Sequence, residues 1–135
     1  MNMSSEEELQ KLAYEAQYLQ SNLQEMQRQY QQAVAMMNQI EQTEKTVAAL
    51  KDAKEDTYFQ LGAGAFMKGK PNERKGVLID MGANVFMEKT AEEARELLKA
   101  RKANIEKAVG SIKKNLEEVS RRLEEIDSLA ADLQK

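Results

Sequence analysis

The chain has 135 residues, of which 32% are charged, 41% hydrophobic and only 5% aromatic, with a single Pro and a formal net charge of −3. It contains no His and no Cys, which excludes a zinc centre, a thiol nucleophile, an imidazole base, a haem ligand, a Ser/His/Asp triad and a disulfide framework. Its 23 Asp plus Glu against 20 Lys plus Arg supply no global basic field for nucleic acid or an anionic membrane.

Residues 1–8 hold neither the basic nor the apolar region of a signal peptide, and the longest apolar run, Ala33–Met37, is too short to span a bilayer. A soluble, unprocessed protein is expected, with no membrane or nucleic-acid partner and no metal, and the lack of Cys fits a reducing cytoplasm. The first element opens at Ser4 and Ser5, each followed three residues later by Glu7 or Glu8, the signature of a capping box. From Leu9 the positions Leu12, Ala16, Leu19, Leu23, Met26, Tyr30, Ala33, Met37, Ile40, Glu44 and Val47 follow at alternating steps of three and four, and all but Glu44 are apolar. That is the narrow seam of a left-handed coiled coil. No Gly or Pro interrupts it, so the spacing predicts a helix over 5–54.

Between 57 and 89 the composition changes to β-branched and aromatic residues, five of the six Gly and the Pro. A shift of twenty residues aligns Leu61-Gly62-Ala63-Gly64-Ala65-Phe66-Met67-Lys68 with Met81-Gly82-Ala83-Asn84-Val85-Phe86-Met87-Glu88, with four of eight positions identical. Each copy reads as strand, Gly/Asn turn, strand: Tyr58–Leu61 with Ala65–Lys68, then Val77–Met81 with Val85–Glu88. The two β-hairpins are joined by a charged loop, Gly69–Gly76. Isolated hairpins are marginal in water and offer their edges for pairing. These carry Phe59, Leu61, Phe66, Met67, Val77, Leu78, Ile79, Met81, Val85, Phe86 and Met87, more than one face of a small sheet buries. Two arrangements answer this: a private sheet packed on the helices, or, favoured by the surplus of apolar side chains, a sheet or barrel shared between subunits.

The second helix is predicted over 90–134. Thr90-Ala91-Glu92-Glu93 opens it as another capping box, and Ala94, Leu98, Arg101, Ile105, Ala108, Ile112, Leu116, Val119, Leu123, Ile126, Ala130 and Leu133 form its seam. Ala108, Ile112 and Leu116 are two successive steps of four, a stutter beside Gly110 where the helix is expected to be least regular. Helices of about 50 and 45 residues extend about 75 and 67 Å. Folded back on each other, they place Lys54 opposite Thr90 and bring both chain ends to one distal tip, with Glu44 and Arg101 facing each other. The fold class is thus mainly α with a small β part: one domain, 1–135, holding a long antiparallel two-helix coiled coil connected by two β-hairpins. Fraying leaves Met1, Met3, Leu9, Leu12, Ile126, Leu129 and Leu133 as the least covered apolar residues, and the flexible Met side chains suit varied apolar partners.

A heptad helix, two consecutive Gly-containing hairpins and a second helix of matching length resemble the α-class subunit of prefoldin, whose β-class counterpart has one hairpin. Leu61-Gly62-Ala63-Gly64-Ala65-Phe66 and Gly76-Val77-Leu78-Ile79-Asp80-Met81-Gly82-Ala83 carry that likeness. It implies a hexamer of two α-class and four β-class subunits, with the hairpins forming an inter-subunit β-barrel platform. It also implies ATP-independent binding of non-native polypeptides at the coiled-coil tips, with no cofactor and no enzymatic activity, and delivery to a group II chaperonin in the cytoplasm. Carried over, Met1, Met3, Leu9, Leu12, Leu129 and Leu133 are tip residues and the strand residues above are platform residues. The alternative is a structural coiled-coil scaffold or filament assembled through the hairpins. A nucleic-acid-binding arm rests only on Arg95, Lys99, Arg101, Lys102 and Lys107, which Glu92, Glu93, Glu96 and Glu106 offset with no aromatic nearby. Gly62-Ala63-Gly64 is not a phosphate loop, because no Gly-Lys-Ser/Thr follows.

Overall fold

The computed structural model describes residues 4–50, 57–71 and 76–135. The element order is α1 (Ser5–Ala49), β1 (Thr57–Gly62), β2 (Ala65–Gly69), β3 (Val77–Asp80), β4 (Phe86–Lys89) and α2 (Ala91–Leu133). Leu50 closes α1 in a tighter turn; the expected continuation over 51–54 and the centre of the charged loop, 72–75, lie outside the described residues. No helix among the described residues is long and apolar enough to cross a membrane.

Both helix starts are capped as the sequence indicates. The Glu7 N–H donates to Ser4 Oγ at 3.2 Å. At α2 the box is reciprocal: Glu93 N–H donates to Thr90 Oγ1 at 3.1 Å while Thr90 N–H donates to Glu93 Oε1 at 3.2 Å. Two of the helix's orphan donors are thereby satisfied, and these hydrogen bonds hold the Glu93 carboxyl below its ordinary pKa.

The hairpins form two separate antiparallel pairs, β1 with β2 and β3 with β4. Ala63 and Gly64, at φ 47° and 80°, turn the first; Ala83 and Asn84, at φ 50° and 61°, turn the second. Positive φ at both central residues is the type I′ pattern, whose twist matches that of paired strands. In the second turn Val85 N–H donates to the Gly82 carbonyl at 3.0 Å and Gly82 N–H to Asp80 Oδ1 at 2.8 Å. The twenty-residue repeat is therefore a repeat of turn geometry. Gly76 has φ 73°, and a Cβ there would lie 2.1 Å from the Lys89 carbonyl oxygen, so only glycine fits beside the end of β4.

The chain divides into two compact units, residues 1–36 with 105–135, and residues 37–104. In the second, Val47, Ile79, Ala94 and Leu98 are buried together, with Ile40, Val77, Ala91 and Leu97 packed around them. Ile79, expected on an inter-subunit face, instead anchors β3 to the helices of its own chain. In the first unit α1 and α2 run antiparallel: Glu15 meets Arg122, while Glu8 and Leu12 share a groove with Leu129 and Leu133.

Two further expectations are corrected. Ala108 is exposed and Val109 is half-buried, so from Ile105 onward the seam runs 105, 109, 112, 116, 119, 123 and 126 in alternating fours and threes. The successive fours fall instead at Arg101, Ile105 and Val109, and the helix passes through Gly110 without interruption. Glu44 pairs with Arg95 and Lys99, each at 3.9 Å, whereas the Arg101 guanidinium donates to the Asp80 carbonyl. The expected Glu44–Arg101 pair fails because a heptad pattern fixes which face is apolar but leaves the axial register free by part of a turn.

Candidate functional site

In the first unit, where α1 begins and α2 ends, Leu12, Leu129 and Leu133 floor an open groove of about 350 Å³, rimmed by Glu8, Lys11, Glu15 and Asp132. Leu129 is 44% exposed, and Leu12 and Leu133 are half-buried. Leu9 is also half-buried but does not line the groove. Ile126 corrects the sequence reading: at 3% exposure it is a seam residue, enclosed by both helices, and is not among the least covered apolar side chains. Met1 and Met3 lie outside the described residues.

One wall is fixed electrostatically. Arg122 donates from Nε to Glu15 Oε1 at 2.7 Å, from Nη2 to Glu15 Oε2 at 2.9 Å, and from Nη1 to Glu125 Oε2 at 2.8 Å. The fork against Glu15 is the bidentate geometry in which a guanidinium holds a carboxylate most strongly. It lowers the Glu15 pKa below the ordinary 4.5, its hydrogen bonds outweighing desolvation, and raises that of Arg122. The groove can bind apolar groups, but its described residues present no nucleophile or acid–base pair aimed at a common point.

Sequence reasoning missed two other exposed side chains of α1, Tyr14 at 69% and Tyr18 at 67%. Neither lies in the seam, and an i,i+4 aromatic pair on the polar face of a helix was the available signal.

The hairpins present the second candidate surface. In the first, Phe59 pairs with Met67 on one face, while Tyr58 and Phe66 stand on the other. All four are exposed, as is Leu61. The Phe59 ring lies over Gly69, whose absent side chain leaves the room for it, and the Lys68 ammonium sits 5.9 Å from the Tyr58 ring centre. In the second hairpin Ile79 and Val77 turn inward, but Leu78, Met81, Val85, Phe86 and Met87 are exposed. The first hairpin is apolar and exposed on both faces and the second at every apolar side chain but Val77 and Ile79, so both are unfinished sheets.

A family model described as prefoldin subunit matches residues 19–135. The chain is 26% identical over 131 residues to the prefoldin subunit alpha of Pyrococcus horikoshii, covering 95% of this chain and 88% of that one. It is 29% identical over 135 residues to the prefoldin subunit alpha of Archaeoglobus fulgidus, covering 98% and 93%. Among solved structures it resembles filamentous PFD from Methanocaldococcus jannaschii with a TM-score of 0.73 at 14% identity, over 86% of this chain and 98% of that one. That last likeness is one of fold.

Proposed function

Since the chain belongs to the prefoldin family, as an α-class subunit of the archaeal type, we propose that it works as an ATP-independent holdase of the cytoplasm. It is a subunit of an oligomeric chaperone, in a family that is not one of enzymes. The finer reading is that it joins β-class subunits through its hairpins in an α2β4 hexamer, binds non-native polypeptide at the coiled-coil tips and releases it to a group II chaperonin.

The observation that carries this reading is the open groove over Leu12, Leu129 and Leu133. An apolar floor between two helices suits transient capture of apolar side chains. Each such contact is weak, and several tips around one client combine by effective concentration into useful avidity. Losing a few contacts then frees the client without a nucleotide. The exposed faces of both hairpins support assembly as the second half of the reading.

The test is to measure the mass of the purified chain by light scattering, alone and mixed with a one-hairpin prefoldin subunit, and then to follow aggregation of a denatured client without ATP. A mixed hexamer that keeps the client soluble is expected. A stable monomer that ignores the partner overturns the assembly, and a hexamer that leaves aggregation unchanged overturns the holdase.

A second reading is a scaffold or filament assembled through the hairpins, whose exposed apolar side chains support assembly equally well. Removing residues 1–8 and 127–135, which spares the buried Ile126, separates the two: assembly survives on both readings, and loss of client protection contradicts the scaffold while unchanged protection contradicts capture at the tip.

A further inference from the structure

The rim of the groove carries charge of predominantly one sign. Glu8, Glu15 and Asp132 border it, opposed on the rim by Lys11. Residues 4–15 and 122–135 together hold eight carboxylates and three cations, although the whole chain has an excess of only three carboxylates. The rest of the chain is therefore net basic, and the acidity is concentrated in these two helix ends, with Glu8, Glu15 and Asp132 on the groove itself. Part of it is locally engaged, Glu15 and Glu125 by Arg122 and Asp132 by Lys135 at 3.6 Å. Lys11 stands three residues from Glu8 and four from Glu15 on the same helix, where those carboxylates oppose its charge.

We infer that the groove selects non-native segments in which a short apolar run is flanked by Lys or Arg, and disfavours segments flanked by Asp or Glu. This rests on the holdase reading and names the class of chain it takes. Apolar side chains of the segment enter the floor between Leu12, Leu129 and Leu133. Its flanking cations meet Glu8 and Asp132, while flanking carboxylates meet the same groups at a cost. Because the rim is solvated, the discrimination is modest and sensitive to salt.

The test uses the full chain in its assembled complex and three labelled, unstructured peptides with one shared Leu/Val core, flanked by Lys, by Ser or by Glu. Fluorescence anisotropy reads their affinities at low and at high salt. The Lys-flanked peptide is expected to bind about three- to tenfold more tightly than the Ser-flanked one, and the Glu-flanked peptide more weakly, with the three converging at high salt. Combining Glu8→Lys with Asp132→Lys reverses the order of the Lys-flanked and Glu-flanked peptides, with helix content checked by circular dichroism. Equal affinities for all three, or an order unchanged by the charge reversal, overturn the selectivity and leave the holdase reading standing. Failure of every peptide to bind overturns both.

Discussion

Thr90 and Glu93 close the start of α2 by exchanging hydrogen bonds, and this is the residue-level interaction most easily removed without touching a core. Thr90→Ala is expected to cost about 1 kcal/mol in urea unfolding, the usual loss for a side-chain cap. A pH series tests the Glu15–Arg122 fork. The folded-state pKa of Glu15 lies below its ordinary 4.5, so the fork's contribution is complete above that ordinary value. It is lost as pH falls through the lower, folded-state pKa. Melting temperature recorded from neutral to acid pH should fall less steeply in the acid limb for Glu15→Gln than for the parent; identical slopes would remove the fork from the stability of the first unit. The helix caps were legible because a few adjacent residues specify them. The Glu15–Arg122 fork was not, since it joins residues 107 positions apart and depends on an axial register that no local pattern sets. The same gap in information misplaced Arg101, which reaches a backbone carbonyl of β3 in place of a carboxylate on α1.

At the scale of elements, both hairpins were readable because type I′ turns demand positive φ, and Gly-Ala-Gly and Gly-Ala-Asn are among the sequences that reach it. Alanine is the strained member. Ala83→Gly should stabilise the β3–β4 hairpin by about 0.5–1 kcal/mol, relief of the left-handed penalty exceeding the extra freedom given to the unfolded chain. Gly76→Ala should do the opposite, because its new Cβ would meet the Lys89 carbonyl; loss of amide protection throughout β3 and β4 in hydrogen exchange is the expected readout. In the helices the apolar stripe gave the seam, yet Ala108 and Val109 are neighbours of similar polarity, and periodicity alone did not choose between them. Ile126 and Leu129 show the same limit near the end of α2. Both are large, apolar and three residues apart, but one is 3% exposed and the other 44%. Ile126→Ala should therefore cost about 2–5 kcal/mol in thermal or urea unfolding, and Leu129→Ala under about 1 kcal/mol. Comparable losses would mean that the groove closes over Leu129.

Across the whole molecule, few side chains are hidden. Among the described residues Val47, Ile79, Ala94, Leu98 and Ile126 are the buried apolar ones, while large apolar groups stand exposed on both hairpins and along the start of α1. A chain with so small a core gains much of its stability from partners, which agrees with a family of oligomeric subunits. The fold class was legible because each element announces itself locally. The division of labour among its apolar residues was not, because that depends on which of them the chain covers for itself. Ile79 and Ile126 are covered internally; on the proposed function Phe59, Phe66 and Leu78 serve assembly, and Leu12, Leu129 and Leu133 take a client. The central claim is that this last group captures non-native chains. Its most direct test is client aggregation without nucleotide, measured with assembled complexes carrying Leu129→Ser together with Leu133→Ser. The account predicts that the variant keeps the parent's oligomeric mass but needs roughly tenfold more complex for equal protection. Protection equal to the parent's at the same concentration would contradict it.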